Sequence, residues 1–268
     1  MKYPEPNITV NVDVTNPGQY FACCGLLELA DRLWPGAEGW FEVDAQKFLI
    51  VTDGSLKHLI ESIASAVLIP VRPSDPYSSP LIVGEPFRPL SIDWWETDMT
   101  GARDLKVWAG TMESVGIAEA MRHAMRSPEF CTPGLFDIGM VVTTPDDPSK
   151  KKEPYYFDSR RTPNAHSRDV GFSANDLGMT SIAHPAVEFL CLVGLQVARP
   201  RATSQTRVYD YCTWSAPLKS NLLLPTSSGF LQSPGMLTFR FENWFRTGQK
   251  KHKAFRTAIR LSQDPQGV

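Results

Sequence analysis

The chain has 268 residues, 42% hydrophobic and 21% charged, which is enough for one large domain or two small ones and too apolar for wholesale disorder. No apolar run approaches the roughly 18 residues of a membrane span. Residues 1–11 carry one lysine and no apolar signal core, so neither a span nor a secretory leader is expected and a cytoplasmic protein is.

The formal charge of −2 hides an imbalance: ten Lys/Arg face eighteen Asp/Glu in residues 1–130, whereas seventeen face eleven in 131–268. An acidic front and a basic back suit a protein that turns one side toward a phosphate backbone. Cys23, Cys24, Cys131, Cys191 and Cys212 are odd in number and lack CxxC spacing, so they are expected as small core residues of a reducing compartment.

In chain order, Ile8, Val10, Val12 and Val14 alternate with polar neighbours, the period of a half-buried strand. After Asn16-Pro17-Gly18, residues 19–33 place Phe21, Cys24, Gly25, Leu29 and Leu33 at helical spacing, and Trp34-Pro35-Gly36 stops the run. Gly25 inside that helix costs roughly 1 kcal/mol against alanine, and a second backbone packed close to it would compensate. Residues 40–44 and 47–52 are expected as a hairpin. Asp53-Gly54-Ser55 leads into a helix over 56–68 with Leu56, Leu59, Ile60, Ile63 and Val67 in one stripe.

Six prolines mark 70–89 as a loop. A strand is expected over 90–95, a helix over 107–125, and a strand over 136–143. Residues 145–153 (PDDPSKKKE) are expected as a mobile surface loop, and 155–157 as strand-like. A helix over 182–197 carries Pro185 in its first turn, where proline is tolerated. Strands over 207–214 and 236–241 precede a terminal basic helix over 245–261. This order predicts an α+β fold with helices packed on one face of an antiparallel or mixed sheet. It is read as a single domain over 1–268, with a possible subdivision near 130–150.

The sequence contains no phosphate-loop, dinucleotide, HExxH or GxSxG motif, and its five histidines are scattered. No metal, cofactor or catalytic residue is therefore assigned. Asp93, Glu96 and Asp98 cluster after one strand and Asp137 lies in another, which leaves open a carboxylate metal pair beside the simpler reading of solvated acids.

Three features suggest binding. The segment 158–173 (DSRRTPNAHSRDVGFS) gathers Arg160, Arg161 and Arg168 with Asn164, Ser167 and Ser173, and guanidinium forks suit phosphate oxygens or guanine edges. The same arginines have Asp158 and Asp169 as internal partners, so a self-neutralised loop is the competing reading. In the tail, Arg240, Arg246, Lys250, Lys251, Lys253, Arg256 and Arg260 are opposed only by Glu242 and interleaved with Phe239, Phe241, Trp244, Phe245 and Phe255. A cationic face of this kind favours nucleic acid over a neutral small molecule; a solvated helix or a protein contact are the alternatives. Trp94, Trp95, Trp108 and Phe87 suit either base stacking or the core.

Three stretches carry a family resemblance: VDVTNPGQYFACCGLLELADRLWPGAEGWFE, FDSRRTPNAHSRDVGFSANDLGM and AHPAVEFLCLVGLQVARP. They resemble the third member of the CRISPR-associated Csb family of type I-U (I-G) systems, well over 10–44 and 155–200 and weakly elsewhere. Asn16, Pro17, Gly18, Gln19, Ala22, Gly25 and Glu28 match its N-terminal motif. Asp158, Ser159, Arg160, Arg161, Asn164, Arg168, Asp169, Gly171 and Phe172 match its central one.

The resemblance implies a non-catalytic, large-subunit-like component of a Cascade effector complex. Its expected partners are crRNA, target DNA and neighbouring Cas subunits, with a possible part in reading a flanking motif. Arg160, Arg161, Asn164, Arg168, Arg246, Lys250, Lys251, Lys253 and Arg256 are the candidate nucleic-acid contacts, and the acidic half would face a protein neighbour. The alternatives are a metal-dependent nuclease using Asp93, Asp98, Asp137 or Asp158, and a purely structural bridge.

Overall fold

The alternation at the start of the chain forms β1 (Ile8–Asn11), and Asn16 then turns the backbone into α1 (Pro17–Leu33). The Asn16 side chain accepts from the Gly18 amide at 3.1 Å, and Pro17 occupies the first turn, where its missing N–H has no helical partner to lose. The structure, a computed structural model, describes residues 3–96, 103–105, 113–164, 182–246 and 251–262.

The expected hairpin is β2 (Glu38–Phe41) with β3 (Lys47–Val51), and β1 adds to β3 with Ile8 opposite Ile50. Ser55 caps α2 (Leu56–Ser65), accepting from the His58 amide at 3.3 Å. The proline-rich segment 70–89 is mostly loop as expected, except that Pro70 ends one strand and residues 81–83 form another. β4 (Leu68–Pro70), β5 (Leu81–Val83) and β6 (Leu90–Ile92) form an antiparallel sheet, with Pro70 on the edge strand, where proline fits.

The chain continues through α3 (Ser114–Ala124), β7 (Thr143–Thr144), β8 (Asp147–Lys151) and α4 (Pro185–Val197). It ends with β9 (Arg201–Ala202), β10 (Val208–Cys212), β11 (Leu218–Lys219), α5 (Leu223–Ser227), β12 (Thr238–Arg246), β13 (Lys251–Phe255) and β14 (Ile259–Arg260). β11 joins the first sheet beside β2, giving the order β1-β3-β2-β11. A second sheet runs β13-β12-β10-β9, with β14 also paired to β12. Every strand pairing among the described residues is antiparallel, and the fold is α+β.

Helices α1 and α4 lie against each other at the centre. The Tyr20 ring of α1 stacks on Phe41 of β2 at 5.5 Å and on Tyr211 of β10 at 4.3 Å, so this helix meets both larger sheets. A helix covered on several sides needs apolar residues around most of its circumference, and residues 17–30 of α1 are all buried. One cluster of buried side chains runs from Ile8 to Ala258 and draws on both halves of the chain. Cys23, Cys24, Cys191 and Cys212 are buried and Cys131 is half-buried.

Three local expectations are corrected. The tail is a β-hairpin: inward Phe239, Phe241 and Asn243 continue an alternation past residue 241, and the buried residues 252–255 pair with Asn243–Phe245. Residues 136–143 hold the end of a 3-10 turn (Leu135–Asp137) and a bridge from Met140 to Ala183 before β7. The apolar-free stretch 145–153 is mostly the exposed β7–β8 hairpin, whose far end is tied by Lys152 Nζ to Glu113 Oε2 at 2.9 Å. Residues 107–112 of the expected helix lie outside the described residues.

Candidate nucleic-acid interface

Residues 155–157, expected as strand-like, are buried but belong to no strand, with Tyr156 at φ +63°, and a 3-10 turn (Ser159–Asn164) follows. Asp158 between them is fully buried. Its Oδ1 accepts from Asn16 Nδ2 at 2.8 Å and from the Arg160 amide at 3.0 Å, and its Oδ2 accepts from Arg160 Nη2 at 2.6 Å. His184 Nδ1 lies 3.3 Å from the same Oδ2. Burial pushes the carboxyl up, but its hydrogen bonds and charge pairing with Arg160, helped by His184, outweigh that and hold Asp158 below the usual carboxylate range. The α1 cap thus serves twice: Asn16 Oδ1 also accepts from the Ser159 amide at 3.0 Å, which locks the turn to the helix.

Arg160 is a clamp. Beyond Asp158, its Nη1 donates to Asp137 Oδ1 at 2.9 Å and its Nη2 to the Phe136 carbonyl at 2.6 Å. Next to it, Glu188 in the first turn of α4 is fully buried and accepts from the Phe157 and Asp158 amides at 3.3 and 3.2 Å. Burial, together with the nearby Asp158 charge, pushes its carboxyl up to about 8.

The self-neutralised reading of the loop therefore describes Arg160 well, yet its guanidinium remains partly exposed. Arg161 turns inward, 8% exposed, with its guanidinium 5.9 Å from the Tyr156 ring centroid and its Nε and Nη2 without hydrogen-bond partners among the described residues. Lys253 is also buried, at 9% exposure. Both were expected as nucleic-acid contacts, and burial withdraws them from that role. Asn164 closes the 3-10 turn, and Arg246 and Lys251 face each other across the tail hairpin; the side chains of all three lie outside the described residues, as do Arg168 and Lys250 entirely.

The structure brings the two cationic segments together. A groove of about 700 Å³ runs between the start of the 3-10 turn and the tail sheet. Arg160, Arg240 and Arg256 line it, with Val208, Phe241, Trp244 and Ile259 as apolar wall and Glu242 as the acid. Arg256 donates from Nη1 to Glu242 Oε2 at 2.9 Å, and its guanidinium lies over the Trp244 ring, 4.7 Å from the centroid. Arg240 is held by a bidentate pair with Asp210, Nε to Oδ1 at 2.7 Å and Nη2 to Oδ2 at 3.0 Å. Anchored guanidinium groups of this kind present their remaining N–H donors in a fixed direction.

Sequence reasoning named Arg240 and Trp244 in the tail without ranking them as contacts. It missed Val208, Asp210 and Ile259, whose role follows only from strand pairing.

The acids proposed for a nuclease sit beside arginines. Asp93 Oδ2 lies 3.0 Å from Arg103 Nη2, with Arg199 at 3.8 Å from its Oδ1, and Asp137 and Asp158 share Arg160. Asp98 is outside the described residues. Among the described residues, no group of three or more His, Cys, Asp or Glu side chains is placed to hold a metal ion. Trp94, Trp95 and Phe87 are buried in the core, so they do not offer free faces to bases; Trp108 lies outside the described residues. No described helix is long and apolar enough to cross a membrane. No family model, curated protein or solved structure matches the chain.

Proposed function

We propose that the chain is a non-catalytic subunit of a type I-U (I-G) CRISPR effector complex that contacts crRNA or target DNA and neighbouring Cas subunits. The observation that carries this reading is the groove in which Arg160, from the loop that resembles the family's central motif, meets Arg240 and Arg256 of the tail. In guide-directed complexes base pairing reads the sequence, and protein holds the backbone. Oriented guanidinium groups beside an aromatic wall suit that task and require no catalytic group.

A second role, contact with a neighbouring subunit, is favoured by the segment around α5. Leu222, Leu224, Phe230 and Leu231 are exposed there, Phe230 at 78%, and the Phe230 and Leu231 amides both bond back to the Pro225 carbonyl at 2.8 Å. That fold-back fixes an apolar knob, the kind of surface that marks a protein contact.

The test is co-expression with the backbone and crRNA-processing subunits of such an operon and a guide RNA, followed by affinity purification and crosslinking. The chain is expected in the particle with crosslinks from the groove to guide or target. Loss of nucleic-acid crosslinks with retained assembly would leave the structural bridge. Failure to co-purify at all would remove the CRISPR assignment.

A further inference from the structure

The groove is concave, and its wall is apolar where its rim is cationic. Val208, Phe241, Trp244 and Ile259 form the wall, and Ile259 is 64% exposed although it is a large β-branched residue. The Arg256 guanidinium lies over one face of the Trp244 ring, 4.7 Å from its centroid, so the cation and the indole form a stacked pair on the groove wall. Arg240 stands on β12 and pairs with Asp210 of β10, while Arg256 follows directly after β13 and is held to Glu242 of β12.

A duplex is read by an element that protrudes into its groove, because base edges are reached only from inside. Its base faces are hidden by stacking. A recess with an apolar wall offers a duplex little beyond a few phosphate contacts. An unpaired nucleotide presents both chemistries at once, a flat apolar base and a charged phosphate, and its combination matches this recess.

We propose that the groove binds a single-stranded polynucleotide, with bases against Trp244 and Ile259 and phosphates on Arg256 and Arg240. This rests on the nucleic-acid reading of the site and narrows it to unpaired strands. The backbone contacts serve RNA and DNA alike, so the sugar is left to the experiment.

The test is fluorescence anisotropy of the full chain with labelled oligonucleotides of one sequence, as single-stranded RNA, as single-stranded DNA and as a DNA duplex. At least one single strand is expected to bind about tenfold or more tightly than the duplex, and removing the stacking surface in Trp244→Leu is expected to weaken that binding about fivefold or more. Trp244→Phe, which keeps an aromatic face, should recover part of the loss. Ile259→Ser, at an exposed position, should weaken single-strand binding with the thermal midpoint unchanged, which keeps the test valid if Trp244→Leu fails to fold. Preference for RNA over DNA, or the reverse, identifies the strand.

Equal or tighter duplex binding, with the Trp244 and Ile259 variants neutral and Arg240→Ala or Arg256→Ala weakening it, would overturn this inference and leave the nucleic-acid role standing. No binding to any of the three would overturn both.

Discussion

Gly25 of α1 and Gly194 of α4 lie backbone to backbone: a β-carbon built on either would stand 2.9 Å from the amide nitrogen of the other. The same carbon at Gly25 would run into the Leu190 carbonyl, and at Gly194 into the Phe21 carbonyl. Neither obstacle is a flexible side chain, so relief requires the helices to part. Gly25→Ala or Gly194→Ala is therefore expected to cost at least about 3 kcal/mol. For a chain of this size that lowers the thermal midpoint by roughly 6–12 °C. Differential scanning calorimetry checks this; a midpoint within about 2 °C of the parent would refute the close crossing.

The Asp158–Arg160 pair makes a different prediction. Arg160→Ala leaves a fully buried carboxylate without its main partner, and breaking such a pair from one side costs about 3 kcal/mol. Asp158→Asn removes the charge itself, so the double variant should be less damaged than the sum of the two singles. Urea unfolding of the two singles and the double closes the cycle. Additive losses would show that the pair does not hold the turn. Because of this structural cost, Arg160→Ala is a poor probe of binding, whereas Arg240 and Arg256 are better ones.

Glu188 makes one large contribution to the pH dependence. Burial raises its carboxyl from 4.5 to about 8 in the fold, so between these values the folded chain holds a proton that the unfolded chain has released. Stability then falls as pH rises across that window, by an amount on the order of a few kcal/mol. Asp158 has the opposite sign, its folded value being lowered, so its contribution is present above 3.8 and lost as pH falls through the folded value. Buried His252, lowered from 6.5 to about 4, opposes Glu188 below pH 6.5, so the Glu188 limb shows most clearly between about pH 6.5 and 8. Glu188→Gln should flatten the upper limb: less stable than the parent at about pH 5, where one amide loses its acceptor, and more stable at about pH 8.5. Parallel urea curves at the two pH values would count against a protonated Glu188.

Much of the frame could be read before folding, and the reasons are local. Asn16-Pro17 marks the start of α1 because both residues act within one turn, and the expected close neighbour of Gly25 is Gly194. The tail was misread as a helix because Arg246, Lys250, Lys253 and Arg256 recur at three- and four-residue steps, a helical period carried by charges that do not pack together. The inward set Phe239, Phe241 and Asn243 carries the true period of two. The groove was half legible. Both cationic segments could be named, but the Asp210–Arg240 pair exists only because β10 and β12 align these residues in register, and no spacing along the chain encodes that.

The charge balance of the groove yields a prediction about salt. Arg160 is committed to Asp158 and Asp137, and Arg240 is held by Asp210 along one edge. Arg256, 49% exposed in its side chain, meets Glu242 through Nη1. It should therefore be the strongest phosphate contact of the three. Each phosphate neutralised on a single strand adds about −0.7 to the slope of log affinity against log salt. Contacts at Arg240 and Arg256 predict a parent slope of at least about −1.4, and Arg256→Ala should reduce its magnitude by about 0.7. Glu242→Gln frees Arg256 and removes an acid from the rim, so it should raise affinity at low salt without lowering the slope. Anisotropy titrations at four salt concentrations check both. A slope unchanged in Arg256→Ala would mean that its guanidinium stays with Glu242 and Trp244 in the bound state and meets no phosphate.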